Sequence, residues 1–508
     1  MRMRNHKLGD RYEEEPTDLT ELCDRVLSQR RLILVSNRGP VEHHMTDGRT
    51  EPRRGSGSVV TSFSPLSHAC EFTWVSSAMS EGDRAISSGG TAVPSPVAGH
   101  RINLRYVTTA RRAYHKYYNV ICNPLLWFLQ HYMWNPPHNP TVDATVHDAW
   151  ETGYVAVNEA FAKAIVTEAR SHDSPPVVLG HDYHLYLLPE FIRRDLPEAI
   201  IQHHVHVPWP TPLYWNLIPR QIVRRICDSL CSADIVGFQT SMDRNCFLDT
   251  VEEFVPESRV DRRSGIVELD GRACSARVYP GSINVAEVQH IAGAPRTLEY
   301  EARLKRESAE ATIVRIDRAE PNKNIVRGFR AYDQLLSAHP ELRGRVKFLA
   351  FLVPSRTHLR QYQRYMDEVQ QAIQQVNTTH SADGWQPIVA YMENNYAQAV
   401  AGMKLYDALL VNTLVEGMNL VAKEGPVVNQ RDGVLVLSQS SGAHSQLADG
   451  AISVAPTDIA GTSEALYRAI TMSAAERRER ASTLYRSICR NDNEDWLTRQ
   501  MEDVAALL

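Results

Sequence analysis

Short apolar runs rich in β-branched residues alternate with longer amphipathic stretches along most of the chain. Residues 31–38 (RLILVSNR), 177–181 (VVLGH), 199–207 (AIIQHHVHV) and 234–238 (DIVGF) form a first series. After a break near residues 290–300 a second series follows at 311–316 (ATIVRI), 346–351 (VKFLAF), 407–411 (DALLV) and 433–437 (GVLVL). Between them, segments such as 324–338 and 360–376 repeat apolar residues at three- and four-residue spacing, the helical period. Strands alternating with helices predict parallel sheets covered on both faces, an α/β fold. Two such series predict two Rossmann-like, doubly wound domains facing across a cleft, with ligands at the carboxyl ends of the strands. Residues 1–18 carry charge but no apolar stretch and read as a mobile leader. Residues 19–295 read as the first domain and 296–480 as the second. Residues 481–508 read as a C-terminal helix able to pack back on the first domain.

Composition narrows the function. Of 508 residues, 43% are hydrophobic and 23% charged, ordinary for an enzyme with full cores. The net charge of -5 supplies no field that would recruit nucleic acid or an anionic membrane. No apolar run approaches the ~18 residues that cross a bilayer. A phosphorylated substrate must therefore be held by local cations. The eight cysteines are scattered; Cys227 and Cys231 fall one helical turn apart with no second pair to complete a zinc site, so all read as reduced thiols. The expected setting is the cytoplasm, with small-molecule substrates as partners; a homo-oligomer is compatible with the sequence.

Two clusters carry candidate chemistry. In the second half, residues 412–424 (NTLVEGMNLVAKE) follow the apolar run 407–411. A strand, a turn at Gly417 and a helix starting near Asn419 present free backbone N–H groups and a positive dipole end to an anion. Glu424 could accept from ribose hydroxyls. Taken alone, this is also how an ordinary strand–loop–helix join reads. Arg318-Ala-Glu-Pro-Asn-Lys323 directly follows the run 311–316. Two cations on a Pro-stiffened loop suit a leaving diphosphate, on which charge builds during glycosyl transfer. No Asp-x-Asp sequence or His/Cys/carboxylate cluster suggests a divalent metal, so no metal and no cofactor are expected.

In the first half, Ser36-Asn37-Arg38 ends a strand and precedes a Gly-rich turn at residues 54–58, a candidate anion cradle with Arg38 as counter-charge. Tyr117-Tyr118-Asn119 and Trp127 lie on a predicted helix and could face a sugar ring. His181-Asp182-Tyr183-His184 closes another strand, and His206 precedes Pro208-Trp209-Pro210. A strand ending in His-Asp reads better as a site than as core, because a buried charged pair is costly.

In this order the pieces SNR, YYN followed by Trp, HDYHL, HxPWP, GFQT (residues 237–240), the Arg-x-x-x-x-Lys pair and GMNLVAKE resemble the trehalose-6-phosphate synthase family of retaining glycosyltransferases. The likeness spans roughly residues 31–500 and implies the two-domain GT-B architecture. It implies that Arg38, Gly57, Ser58, Tyr118, Trp127, Asp182 and Arg356 serve a sugar-phosphate acceptor such as glucose 6-phosphate. It implies that Arg318 and Lys323 hold the diphosphate of a UDP- or GDP-sugar, and that Glu416, Gly417, Met418, Asn419, Leu420, Val421 and Glu424 serve the rest of the donor. Asp182, His206, Arg318 and Lys323 would be the catalytic set, with the leaving phosphate itself taking the acceptor's proton. Three departures bear on the substrate: Glu416 stands where the family has Asp, Ser58 where it has Gly, and the cation loop reads RAEPNK rather than RLDYSK. Related enzymes use glycerol phosphate or join a cyclitol to an aminocyclitol phosphate, and the latter also lacks the second Gly. A non-catalytic sugar-phosphate sensor is the remaining alternative, disfavoured by retention of Arg318, Lys323, His206 and Asp182.

Overall fold

A computed structural model describes residues 18–46, 49–55, 62–97, 99–307, 309–357, 359–382 and 384–508. The predicted leader, apart from Asp18, and the turn residues Gly57 and Ser58 lie outside the described residues.

The first sheet has ten strands, with Arg31–Val35 and Pro176–His181 side by side at its centre. Outward from Pro176–His181 run Ile200–Val205, Ile235–Phe238 and Arg272–Val278; outward from Arg31–Val35 run Phe72–Ser77 and Ile102–Val107. All of these pair in parallel. Antiparallel strands close the edges: Ile266–Leu269 and Arg259–Asp261 at one side, Val93–Pro94 at the other. The second sheet runs Ile388–Tyr391, Val346–Val353, Ala311–Arg318, Ala408–Val411, Val434–Ser438, Ile452–Val454, all parallel. In sequence order this is 3-2-1-4-5-6, the doubly wound Rossmann arrangement. The order in which successive strands are added reverses between Ala311–Arg318 and Ala408–Val411, and in the first sheet between Arg31–Val35 and Pro176–His181. At such a switch point the connecting helices diverge to opposite faces and leave a crevice.

Strands covered on both faces should be apolar throughout, and the central ones are: Pro176–His181 and Ile200–Val205 are buried at every position. Each sheet therefore has two cores. The chain crosses between domains twice. Helix Val285–Gly293 packs Val288 and Ala292 into the second domain, as helix Ala474–Arg490 does with Leu484 and Ile488. Helix Asn493–Ala505 returns to the first domain, where Trp496, Leu497, Met501 and Val504 share a core with Leu19, Leu22 and Val26 of the opening helix Leu19–Leu27. Seven of the eight cysteines are buried, Cys489 is exposed, and none is bonded to another. Among the described residues no helix is long and apolar enough to cross a membrane.

Candidate active site

Both switch points open onto the same interdomain cleft. On the first domain, strand Arg31–Val35 ends in Ser36-Asn37-Arg38. The Asn37 carboxamide oxygen accepts from Ser77 Oγ (3.2 Å) and from the hydroxyls of Tyr117 (3.1 Å) and Tyr114 (3.4 Å). That anchor leaves Arg38 exposed at the strand end, close enough for its charge to act on Tyr114 and His184.

Tyr118 and Trp127 lie on one π-helix, Lys116–Trp127, not the α-helix their pattern suggests. The difference has a consequence. Residues nine apart are about two and a half turns apart in an α-helix and point to opposite sides. With i→i+5 bonding the turn exceeds four residues, and nine positions make about two turns, one face. Tyr118 stacks between Tyr114 (5.7 Å, 10°) and His184 (6.0 Å, 15°). Trp127 stacks on His131 (4.2 Å), which burial holds down to about pKa 4 and so neutral. From the second domain, the Arg356 guanidinium sits over the Trp127 ring at 5.0 Å, and Tyr362 packs beside it. Arg356 itself has a left-handed backbone (φ 44°), a conformation costly for a residue with a Cβ and found where function demands it.

Asp182, directly after strand Pro176–His181, is a second such residue, at φ 74°. Its N–H donates to the His204 carbonyl (2.8 Å) and its carbonyl accepts from His203 Nε2 (3.1 Å). These bonds hold the turn against its strain. Burial would raise the Asp182 carboxyl, but contact with His184 at 3.7 Å and the Tyr183 backbone N–H outweigh it and bring it below the ordinary range. The carboxylate stays ionised, and its Oδ1 is buried with no partner. A buried anionic oxygen left unsatisfied is an acceptor waiting for a hydroxyl.

On the second domain, strand Ala311–Arg318 runs into the short 3₁₀ turn Pro321–Lys323. The loop rests on a buried pair: Arg315, fully inaccessible, bonds Asp317 (2.7 and 3.0 Å) and the carbonyls of Lys323 (3.0 Å) and Ile325 (3.3 Å). Lys323 emerges to pair with Glu416. The other Glu416 oxygen accepts from Asn419 Nδ2 at 2.9 Å. The Arg318 side chain is 60% exposed and lies 3.6 Å from Glu320. Glu320 was not singled out from sequence, yet it organises the site. Burial alone would raise its carboxyl; Arg318, Arg356 and Lys323 pull it to about 2. It also accepts from Ser355 Oγ (2.8 Å) and pairs with Arg356 (3.3 Å). One buried carboxylate thereby gathers cations from two loops around the cleft. The signal available in RIDRAE was its density of charge inside an apolar strand.

Helix Val421–Val428 follows the Glu416–Leu420 turn, close to the start near Asn419 that the sequence suggested, and Asn419 Oδ1 accepts from the Ala422 N–H (3.0 Å). Leu420, Val421 and Met418 are half-buried against the second core. Glu424 lies one turn in, accepts from the Tyr396 hydroxyl (3.0 Å), and is pushed up to about 7 by burial. It stands apart from the cation group. Gly417 abuts the first domain: a Cβ there would lie 2.3 Å from the His206 carbonyl oxygen, and one on Gly442 would lie 1.7 Å from the Gly417 carbonyl. Arg318, Lys323, Glu416, Asn419 and Arg356 are thus brought together, with Trp127 beneath Arg356 and His206 against Gly417. Among the described residues no three of His, Cys, Asp or Glu converge to hold a metal ion.

Comparison with known proteins follows the same lines. The model of Glycosyltransferase family 20 matches residues 30–506. The chain is 32% identical over 400 residues to the trehalose-6-phosphate synthase of Klebsiella pneumoniae subsp. pneumoniae, covering 77% of this chain and 80% of that one. It is 27% identical over 491 residues to the validamine 7-phosphate valienyltransferase of Streptomyces hygroscopicus subsp. jinggangensis, 94% of each. A solved α,α-trehalose-phosphate synthase (UDP-forming) from Burkholderia xenovorans in complex with glucose-6-phosphate superposes with a TM-score of 0.79 at 27% identity, covering 93% of this chain and 99% of that one. The trehalose-6-phosphate protein from E. coli bound with UDP-2-fluoro glucose gives 0.79 at 26% identity, covering 94% and 99%. The two Rossmann-like domains are those of the GT-B trehalose-6-phosphate synthases.

Proposed function

This chain belongs to glycosyltransferase family 20, and on that footing we propose that it transfers glucose, with retention, from UDP- or GDP-glucose to glucose 6-phosphate, forming α,α-trehalose 6-phosphate. The observation that carries the reading is the cation group at the switch point of the second domain. Arg318 at the end of its strand and Lys323 in the following turn lie beside the turn at Asn419, where a diphosphate would meet both cations and backbone N–H groups. No resident metal is invoked: the two side chains supply the charge stabilisation. Charge appears on the leaving β-phosphate as the glycosidic bond breaks, and that oxygen takes the proton of the attacking hydroxyl on the same face. Arg356 of the second domain and Arg38 across the cleft offer counter-charge for the acceptor phosphate. Tyr118 lines this side from within its stack on Tyr114 and His184, Trp127 lies beneath Arg356, and the unpartnered Oδ1 of Asp182 offers an acceptor for a sugar hydroxyl. The Burkholderia xenovorans and E. coli relatives, solved with glucose-6-phosphate and with UDP-2-fluoro glucose, support a sugar phosphate and a nucleotide sugar as the two substrates.

A second reading keeps the chemistry and changes the substrates. Glu416 reaches Lys323 and Asn419 together, a contact that its extra methylene over Asp permits, and the valienyltransferase relative spans 94% of the chain. A grid of UDP- and GDP-glucose against glucose 6-phosphate, glycerol 3-phosphate and a cyclitol phosphate, read by mass spectrometry, separates the two. The expected result is trehalose 6-phosphate plus nucleoside diphosphate. Folded protein that yields product only in other cells of the grid overturns the first reading, and none in any cell overturns both.

A further inference from the structure

His206 belongs to the catalytic set that the family resemblance implies, and the inference below rests on the proposed reaction. Its half-buried ring packs against three other imidazoles, the buried His181, His203 and His204 at the same sheet end. A neutral imidazole has one donor and one acceptor nitrogen, and the bond to one fixes the other. Gln239, 2% exposed, supplies that bond. The backbone N–H of Gly281 lies 2.7 Å from Gln239 Oε1 and can only donate, so the oxygen of the carboxamide is assigned and its NH₂ faces the histidines. That NH₂ reaches His206 Nδ1 at 3.3 Å and His204 Nε2 at 3.4 Å, one hydrogen for each. His206 Nδ1 must then accept, so its proton sits on Nε2, which faces His181 Nδ1 at 3.1 Å. His181 in turn carries its proton on Nε2, buried with no partner against Phe63. Burial lowers the pKa of His181, His204 and His206 alike, so the relay is neutral throughout.

The other end of the chain of bonds lies in the crossing between domains. Gly281 sits between strand Arg272–Val278 and helix Val285–Gly293, and its carbonyl accepts from Lys423 Nζ (2.6 Å) on the donor-side helix. A side chain at 281 would press on Gln239, with a Cβ only 3.2 Å from Oε1.

We propose that Gln239 is a positioning residue that fixes His206 as its Nε2–H tautomer and ties that choice to the crossing segment at Gly281. The relay keeps the His206 ring from turning while its carbonyl meets Gly417. Gln239→Glu replaces the NH₂ by a second acceptor and should invert the tautomer to Nδ1–H; Gln239→Leu should release it to a mixture. Histidine ¹⁵N chemical shifts of the full-length protein read this directly and need no turnover. For wild type the expected pattern is a protonated Nε2 and an accepting Nδ1 at His206. Nδ1–H in wild type, or an unchanged tautomer in Gln239→Glu, overturns the proposal whatever the substrates prove to be. In turnover, both variants should lose kcat by about tenfold to a hundredfold with donor KM little changed. Equal kcat in a Gln239→Leu protein that melts as wild type would overturn the positioning role even if the tautomer assignment stood.

Discussion

At the scale of single residues, the buried lysine of the donor-side helix makes a prediction with a sign. Lys423 is almost fully buried, bonds Gly281 and Gln446, and burial lowers it from 10.5 to about 7. Between those values the unfolded chain holds a proton that the folded one lacks, so the group's contribution to stability rises with pH. Below about 7 both states hold it and the contribution is flat. The stability difference between wild type and Lys423→Met, followed by urea unfolding, should therefore grow in favour of wild type from pH 7 to 9 and stay level from 5.5 to 7. A difference constant across the whole range would show that burial does not tune this amine. Residue identity was legible where chemistry alone carries the signal: Arg318, Lys323 and Asp182 stand at strand ends, as their motifs indicated. Glu320 and Gln239 were not, because each acts through partners more than thirty residues away, Arg356 for one and His206 for the other.

At the scale of elements, strand positions followed from the apolar runs, since a strand covered on both faces has nothing but its hydrophobicity to show. The π-helix did not. Its sequence KYYNVICNPLLW reads as an amphipathic helix, and the bonding pattern is set by what packs beside it. Gly153, on the neighbouring π-helix Trp150–Val155, packs tightly against it: a Cβ there would lie 2.6 Å from Lys116 Cβ and 2.8 Å from the Tyr117 N. Gly153→Ala should push the elements apart, costing about 1–3 kcal/mol as overpacking does. Because Tyr118 follows the displaced backbone, KM for the sugar phosphate should rise while KM for the nucleotide sugar holds. A loss confined to stability, with both KM values unchanged, would mean that the register of the π-helix does not shape the acceptor side.

At the scale of the molecule, the site exists only when the two domains meet, and one of the contacts where they meet is made by glycine. Gly417 places its bare Cα against the His206 carbonyl, and Gly442 packs behind it, where an added Cβ would meet the Gly417 carbonyl and lie 3.2 Å from the Thr240 methyl. Neither position has a left-handed backbone, so the need for glycine here is one of space and not of φ. The covalent crossings at residues 279–284 and 491–492 and the returning helix Asn493–Ala505 keep the domains tethered when this contact opens. An added methyl at 417 would therefore wedge the cleft without unfolding either domain. Gly417→Ala is expected to melt close to wild type, to show a larger radius of gyration in X-ray scattering with donor analogue present, and to lose about tenfold to a hundredfold in kcat through misplacement of the two half-sites. Wild-type scattering together with wild-type kcat would mean that the close approach of Gly417 to His206 is not needed for turnover. Reduced kcat with an unchanged radius would instead place the effect on the His206 carbonyl itself, a local cost of the same clash.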